Sequence, residues 1–432
     1  MGTKLDRIRK MSASNPKMVF TSLYHLINEE LLRECHREIS GNKATGVDNI
    51  TKAEYGKNLE ENLRGLVDRL KRKSYKPQPS LRVYIPKVNG KLRPLGMAAY
   101  EDKLAQSALG RILMAVYEPK FRDTMYGFRP KLNCHAALKE LNRQIEKGKT
   151  GYVVEADVKG FFNNMEHETI QELIKFRIAD PNILWLVRKT LTAGVVEEGK
   201  WHPTTKGSEQ GNLASPVIAN IYMHYALALW FDVEFKKTCR GENGLVIYAD
   251  DFVATFQYKD DAERFLVAIK ERFAKFGLEL EPSKTQLLEF GRFAEQNRRE
   301  RGLGKPKTFD FLGFTHSCSK NKKGWFSVMR KTSSKKFRMK LKEVNQWLKR
   351  NRVLRVRDLI YTLNLKLRGH YQYYGISGNS DKTADFLYHT QKLLFKWLNR
   401  RSQRRSYSWD GFNELMKIFP LARPRIFFNM YA

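Results

Sequence analysis

Leu245-Val246-Ile247-Tyr248-Ala249-Asp250-Asp251-Phe252-Val253-Ala254-Thr255-Phe256 is the stretch on which the fold turns. Two runs of aliphatic and aromatic residues flank a tight acidic step, the pattern of a β-hairpin with two carboxylates at its tip. A bare Asp-Asp step is ordinarily a solvated turn. Here it sits between strands that must be buried. Adjacent carboxylates there repel one another and resist desolvation unless a cation lies between them. With a cation there, a third carboxylate from elsewhere in the chain would complete its oxygen ligands.

Tyr152-Val153-Val154-Glu155-Ala156-Asp157 supplies it, as a strand running into Val158-Lys159-Gly160-Phe161-Phe162. Residues 151–290 read β-α-α-β-β-α-β, a ferredoxin-like layout. In that topology the first strand lies beside the acidic hairpin, so Asp157 faces Asp250. Ser215-Pro216 reads as the N-cap and first turn of a long helix. Ala262, Phe265, Leu266, Ile269 and Phe273 mark another helix, Gly277 stops it, and Leu278–Leu288 returns as a strand.

Outward from this centre, residues 1–80 are mostly helical, with a turn-rich loop at Gly41–Asp48. Arg82–Leu95 reads as two short strands joined at Asn89-Gly90, a strong hairpin signal. Lys87 and Arg93 stand on its two arms, near enough to grip one triphosphate; by itself the piece reads as an ordinary solvated basic hairpin. An amphipathic helix follows over 101–118, then the aromatic and basic turn Tyr126–Pro130 and a helix over 134–147. Arg292–Lys307 reads as a charged linker and Phe309–Phe314 as a short strand. From Ser333 onward the pattern is helical.

The 432 residues carry a formal charge of +33 with 42% hydrophobic residues. That is a folded chain with a polyanionic partner. Lys320–Ala432 alone holds 27 basic and six acidic residues, interleaved with aromatics, which favours a nucleic-acid surface. No apolar run approaches the roughly 20 residues needed to span a bilayer. The N-terminus has no apolar signal region, so a cytoplasmic protein without a membrane partner is expected. Cys35, Cys134, Cys239 and Cys318 show no Cys-x-x-Cys spacing, which argues against disulfides and zinc.

Three aspartates and a polyanionic partner suit nucleotidyl transfer. That reaction moves a 3′-hydroxyl onto the α-phosphate of a nucleotide. Two Mg²⁺ ions about 3.5–4 Å apart activate the hydroxyl and neutralise the leaving pyrophosphate. Asp157, Asp250 and Asp251 supply the oxygen ligands Mg²⁺ prefers, with the Val158 carbonyl a further candidate.

An ordered series of motifs carries a resemblance. They are Gly-x-Lys-x-x-Gly-Val-Asp at Gly41–Asp48, Ile-Pro-Lys at Ile85–Lys87, Arg-Pro-Leu-Gly at Arg93–Gly96 and Tyr-Gly-Phe-Arg-Pro at Tyr126–Pro130. The Asp157–Phe162 segment, Gln210-Gly211 with Ser215-Pro216, and Tyr-Ala-Asp-Asp follow. Leu-Gly-Phe at Leu312–Phe314 and Leu-Arg-Gly-His-Tyr-x-Tyr-Tyr at Leu367–Tyr374 complete the set. Over nearly its whole length the chain resembles the bacterial group II intron reverse transcriptase–maturases. The resemblance implies an α+β right-hand polymerase fold. Helical and β fingers with an N-terminal extension fall at 1–150, a ferredoxin-like palm at 151–320, and a helical thumb or maturase region that binds intron RNA at 321–432.

It implies RNA-directed DNA polymerase activity, with an RNA template, a DNA or RNA primer, deoxynucleoside triphosphates and structured intron RNA as partners. Lys87 and Arg93 match triphosphate contacts, Gln210 a residue at the incoming nucleotide, and Phe162 the aromatic gate under the sugar. Lys284 matches a lysine that protonates pyrophosphate, and Leu312, Gly313 and Phe314 match the primer grip. Taken singly these residues read blandly: one of Phe161 and Phe162 is core, Lys284 a surface lysine, and Leu-Gly-Phe a β-bulge.

The sequence departs from the family's Gly-Thr-Pro-Gln-Gly-Gly at Glu209 and Asn212, and from a common aspartate at Asn163. Glu209 is expected either to repel a triphosphate or to point outward or pair with a cation such as Lys206, and Asn212, which can take a positive φ as glycine does, to bring a side chain into the loop. Alternative roles are a splicing cofactor with weak polymerase activity, or a domesticated relative serving defence, CRISPR spacer acquisition or repair.

Overall fold

The computed structural model describes residues 2–86, 92–402 and 406–431. Lys87 and the Asn89-Gly90 turn therefore lie outside the described residues. Eleven strands occur among those described: β1 (Ser80–Pro86), β2 (Leu92–Met97), β3 (Tyr152–Asp157), β4 (Val195–Glu197), β5 (Lys200–His202), β6 (Asn243–Tyr248), β7 (Asp251–Phe256), β8 (Gln286–Glu289), β9 (Phe309–Phe311), β10 (Phe314–Lys320) and β11 (Phe326–Thr332). They form three sheets, in the orders β2-β1-β4-β5, β6-β7-β3-β8 and β11-β10-β9. With the helices around them they make a mixed α/β protein. As the sequence led us to expect, β3 lies beside β7 of the acidic hairpin.

The chain divides into two compact units. The first comprises Met1–Ala137, Val154–Ala254 and Tyr258–Leu287, and the second Leu138–Val153, Thr255–Gln257 and Leu288–Ala432. In the first, the helix Tyr100–Tyr117 is not amphipathic as its pattern suggests but buried on nearly every face. Its polar residues find partners inside. Asp102 accepts from the Tyr75 hydroxyl and from the Gln78 N–H at 2.9 Å, and Lys103 donates to the Ala44 carbonyl at 2.5 Å. Such pairing is what makes buried polar groups tolerable. Asp180 is a second buried anchor. It caps the helix Pro181–Leu191 through the N–H groups of Asn182 and Ile183, and its other oxygen accepts from Leu23 and Tyr24 at 2.6 and 2.8 Å.

Three sequence expectations for 151–290 are corrected. A hairpin, β4–β5, intervenes after the helix Pro181–Leu191, and β4 pairs in parallel with β1. Its turn residues Glu198 and Gly199 have φ of 50° and 77°, the backbone of a two-residue hairpin turn. Ser215 is the first residue of the helix Ser215–Met223 and not its N-cap. Its hydroxyl donates to the Glu209 carbonyl at 2.9 Å, while Asn212 Oδ1 accepts from the Ala214 N–H at 2.8 Å. Finally, the strand expected over Leu278–Leu288 is confined to β8 and preceded by a bridge between Val158 and Leu280. Pro282 starts a one-turn helix, Pro282–Lys284, that breaks the ladder.

In the second unit the segment 292–307 is not a plain linker, because Ala294–Glu300 is helical. β9 and β10 are joined by Leu312 and Gly313, both at positive φ (49° and 80°), so Leu-Gly-Phe is a tight hairpin turn rather than a bulge. The helices Ser334–Asn351, Val356–Tyr374, Ser380–Leu398 and Trp409–Ile418 follow. They close on a core of Val344, Leu348, Leu363, Leu367, Phe386 and Leu394. Two distant motifs meet here: the Tyr373 hydroxyl donates to the Leu312 carbonyl at 2.9 Å, and the Phe314 and Tyr373 rings stack with centroids 6.0 Å apart.

Candidate active site

The hairpin tip is built by Ala249 and Asp250, between the last residue of β6 and the first of β7. Ala249 sits at φ 58°, a conformation that costs a non-glycine residue about 1 kcal/mol. Its neighbour explains why the turn holds. Gly127 lies so close that a Cβ there would come within 2.5 Å of the Ala249 nitrogen. The segment before it runs along β6, with Tyr126 N–H donating to the Ile247 carbonyl at 2.9 Å and Ile247 N–H to the Thr124 carbonyl at 2.8 Å. Tyr-Gly-Phe-Arg-Pro is thus the support of the acidic turn. Arg129 is structural, held by Glu118 and by the carbonyls of Arg122 and Met125.

Asp157 ends β3 and is buried. Its carbonyl accepts from the Glu281 N–H at 2.8 Å, which brings the Pro282–Lys284 turn alongside. Lys284 Nζ then reaches Asp157 Oδ2 at 2.5 Å. Asp250 is raised above the usual carboxylate range, by burial first and then by the charge of Asp157, partly offset by Lys284 and Arg93. Asp251 is pushed up to about 8, by burial, by a hydrogen bond with Asp157, and by the charges of Asp157 and Asp250. Burial lowers Lys284, but the three carboxylates outweigh it and leave its pKa raised. The three carboxylates crowd one another, and one of them borrows a lysine. As the side chains stand, no group of three or more His, Cys, Asp or Glu among the described residues is gathered tightly enough to hold a metal ion. The donor set is nevertheless all carboxylate, the hard-oxygen chemistry of Mg²⁺, and an ammonium already occupies a cation's place on Asp157.

The other predicted residues of the first unit are spread over β2, the segment after β3 and the loop before the helix Ser215–Met223. Arg93, on β2, is near enough to act on Asp250 electrostatically. Phe161 is core, 1% exposed and edge-on to Tyr222 at 6.0 Å, while Phe162 is half-buried. The loop carrying Gln210 docks on Phe162 and on β2. Ser208 N–H donates to the Phe162 carbonyl at 2.7 Å, and the Gln210 carbonyl accepts from the Gly96 N–H at 2.8 Å. The Val158 side chain is buried. Asn163 is exposed. Asn212 does not use the positive φ open to it; Gly211 does, at 120°. Leu312–Phe314 belong to the second unit.

Sequence reasoning missed two features. Glu209 turns neither outward nor to Lys206. Its carboxyl packs over Gly96, and burial raises its pKa, with Ser80 and Arg82 opposing the rise. A cavity of about 510 Å³ behind the loop is lined by Lys43, Lys103, Arg111, Gly211 and Pro216 among others. Lys103 and Arg111 lie in a helix that reads as structural, so no motif pointed to them.

The family model described as reverse transcriptase (RNA-dependent DNA polymerase) matches residues 85–316, and that of the group II intron maturase-specific domain matches 334–413. The group II intron-encoded protein LtrA of Lactococcus lactis subsp. cremoris is 39% identical over 222 residues, 51% of this chain and 37% of that protein. Protein YkfC of Escherichia coli is 32% identical over 225 residues, 50% of this chain and 59% of that protein. A 91 kDa protein in the cob intron of Schizosaccharomyces pombe is 31% identical over 224 residues, 51% of this chain and 28% of that protein. These alignments leave much of each relative's length unspanned. With the polymerase model covering over half of its length, and with the paired strands and clustered aspartates that such a site requires, the chain belongs to the reverse transcriptase (RNA-dependent DNA polymerase) family.

Proposed function

We propose that this protein is an RNA-directed DNA polymerase of group II intron type that also binds its intron RNA as a maturase. The observation that carries the reading is the meeting of Asp157 at the end of β3 with Asp250 and Asp251 at the tip of the hairpin whose strand β7 lies beside it, with Lys284 on one carboxylate and Arg93 in electrostatic reach of another. In this reading 1–150 are fingers, 151–320 palm and 321–432 thumb of a right-hand polymerase. The protein acts in the cytoplasm; no described helix is long and apolar enough to cross a membrane.

Asp157, Asp250 and Asp251, with the Val158 carbonyl, would hold two Mg²⁺ ions, which when bound neutralise phosphate charge and favour the ionised 3′-hydroxyl of the primer. Lys284 keeps its proton at neutral pH, because the carboxylates around it outweigh its burial. It leaves Asp157 as the site fills and is suited to protonate the departing pyrophosphate. Lys87 and Arg93 bind the triphosphate, Gln210 meets the incoming nucleotide, and the Phe162 ring lies under the sugar. Leu312, Gly313 and Phe314 hold the primer end. Template RNA, a DNA or RNA primer, deoxynucleoside triphosphates and structured intron RNA are the partners.

Primer extension on an RNA template with Mg²⁺ tests the reading. Wild type is expected to synthesise DNA. Asp250→Asn should lower extension roughly a thousandfold or more while leaving RNA affinity within about twofold. Absence of synthesis by wild type, or its survival in the variant, rejects the assignment.

A further inference from the structure

Apart from Phe314–His316, the hairpin β10–β11 lies in the gap between the two family matches, which end at 316 and resume at 334. Seven register pairs, from Phe314 with Thr332 to Lys320 with Phe326, make it a firm two-stranded projection. Its tip is Asn321-Lys322-Lys323-Gly324-Trp325. The turn is locked by one side chain, as Asn321 Oδ1 accepts from the N–H of Lys323 at 2.9 Å and of Trp325 at 3.0 Å. Backbone bonds from Asn321 N–H to the Trp325 carbonyl and from Gly324 N–H to the Asn321 carbonyl, at 2.8 and 2.9 Å, close it. Gly324, at φ 80°, takes a backbone that few other residues tolerate.

This fixed turn displays Trp325 with 70% of its surface exposed, the most exposed tryptophan among the described residues. Lys320, Lys322 and Lys323 around it are exposed as well. No acidic residue occurs between Phe311 and Thr332, so nothing in the hairpin's own sequence balances these charges. An indole that served only the fold would be covered, since burial is what an aromatic ring contributes. A bare ring beside clustered ammonium groups fits a ligand with a flat π-face and regular negative charge. Unpaired nucleotides have both, whereas a duplex hides its base faces.

We propose that this tip is a contact for unpaired RNA, with a base stacked on Trp325 and flanking phosphates on Lys322 and Lys323. The proposal rests on the RNA partner argued above and adds a site that neither family match covers. The test uses the full chain, a single-stranded RNA oligonucleotide and a blunt duplex of equal length. Trp325→Ala should weaken single-strand binding roughly tenfold, and Trp325→Phe clearly less. The part of the indole emission that Trp325→Phe removes should be quenched in wild type by the single strand and not by the duplex. Lys322→Gln with Lys323→Gln should flatten the log–log salt dependence by about 0.7 for each phosphate no longer neutralised. If wild type binds no RNA, the RNA reading itself fails. If wild type binds and Trp325→Ala binds equally well, or if duplex quenches as strongly as single strand, the tip does not bind unpaired RNA. Unchanged unfolding midpoints in the variants keep a folding defect from imitating the expected result.

Discussion

Glu209 shows at the residue scale why a departure from a family pattern must be read in three dimensions. Beside Gln210 its charge suggests repulsion of a triphosphate. The side chain instead faces β1 and β2, where an added Cβ at Gly96 would lie 2.8 Å from Glu209 Cδ and closer still to Oε2. Its Oε1 is buried without a partner and its backbone carbonyl takes the Ser215 hydroxyl, so the residue is a wedge fixing the loop. Two outcomes follow. Glu209→Gln should leave the nucleotide KM unchanged, whereas a repelling charge would give a lower one. Gly96→Ala should cost about 1–3 kcal/mol by overpacking, and Glu209→Ala in that background should return most of it. Additive losses in denaturant titrations would reject the wedge. The aspartates were legible because paired carboxylates between apolar strands have no cheap structural use. Glu209 was not, because its direction depends on strands more than a hundred residues earlier in the chain.

Elements were legible where one local signal decides them and illegible where packing does. Turn chemistry marked the hairpins β1–β2 and β6–β7, and helical periodicity marked the bundle after Ser333. The helix Tyr100–Tyr117 misled because its polar face is satisfied by distant groups rather than by water. The bundle helix Val356–Tyr374 carries a further consequence. His370 is buried, stacked on Phe386 with centroids 3.7 Å apart, and its Nε2 has no partner. Burial, then Lys340, lowers its pKa to about 4. A histidine in the unfolded chain titrates near 6.5, so below that pH the unfolded state binds the proton and the folded state does not. The stability held above pH 6.5 is therefore lost as pH falls towards 4, with about 2 kcal/mol gone by pH 5. Urea titrations at pH 7.5 and 5 should show this loss in wild type and a loss smaller by that amount in His370→Phe. Equal losses in the two proteins would mean the ring is protonated in the folded state.

At the scale of the whole molecule, charge and fold are distributed differently. Residues 320–432 carry +21 of the total +33, though they are about a quarter of the chain. Their described ion pairs are five, made by Lys331, Lys340, Arg357, Lys382 and Lys417. Most of the described cations of this region therefore have no carboxylate partner among these pairs. Truncation is a poor test of whether they meet RNA, because the region is also structural. The buried Asn379 side chain accepts from the Thr332 N–H at 2.8 Å and donates to the Tyr374 carbonyl at 2.8 Å, so removing the helices would expose what they cover. Neutralising exposed cations keeps the fold. Lys342, Lys349, Arg350 and Arg368 are exposed and make none of these ion pairs. Changing all four to Gln should weaken RNA binding at low salt. It should also flatten the log–log salt slope by about 0.7 for each that meets a single-strand phosphate, or roughly 3 if all four do. Binding measured from 50 to 300 mM salt reads both effects together. Weaker binding with an unchanged slope would mean the four act through structure, and an unchanged affinity would place the RNA surface on another face of the protein.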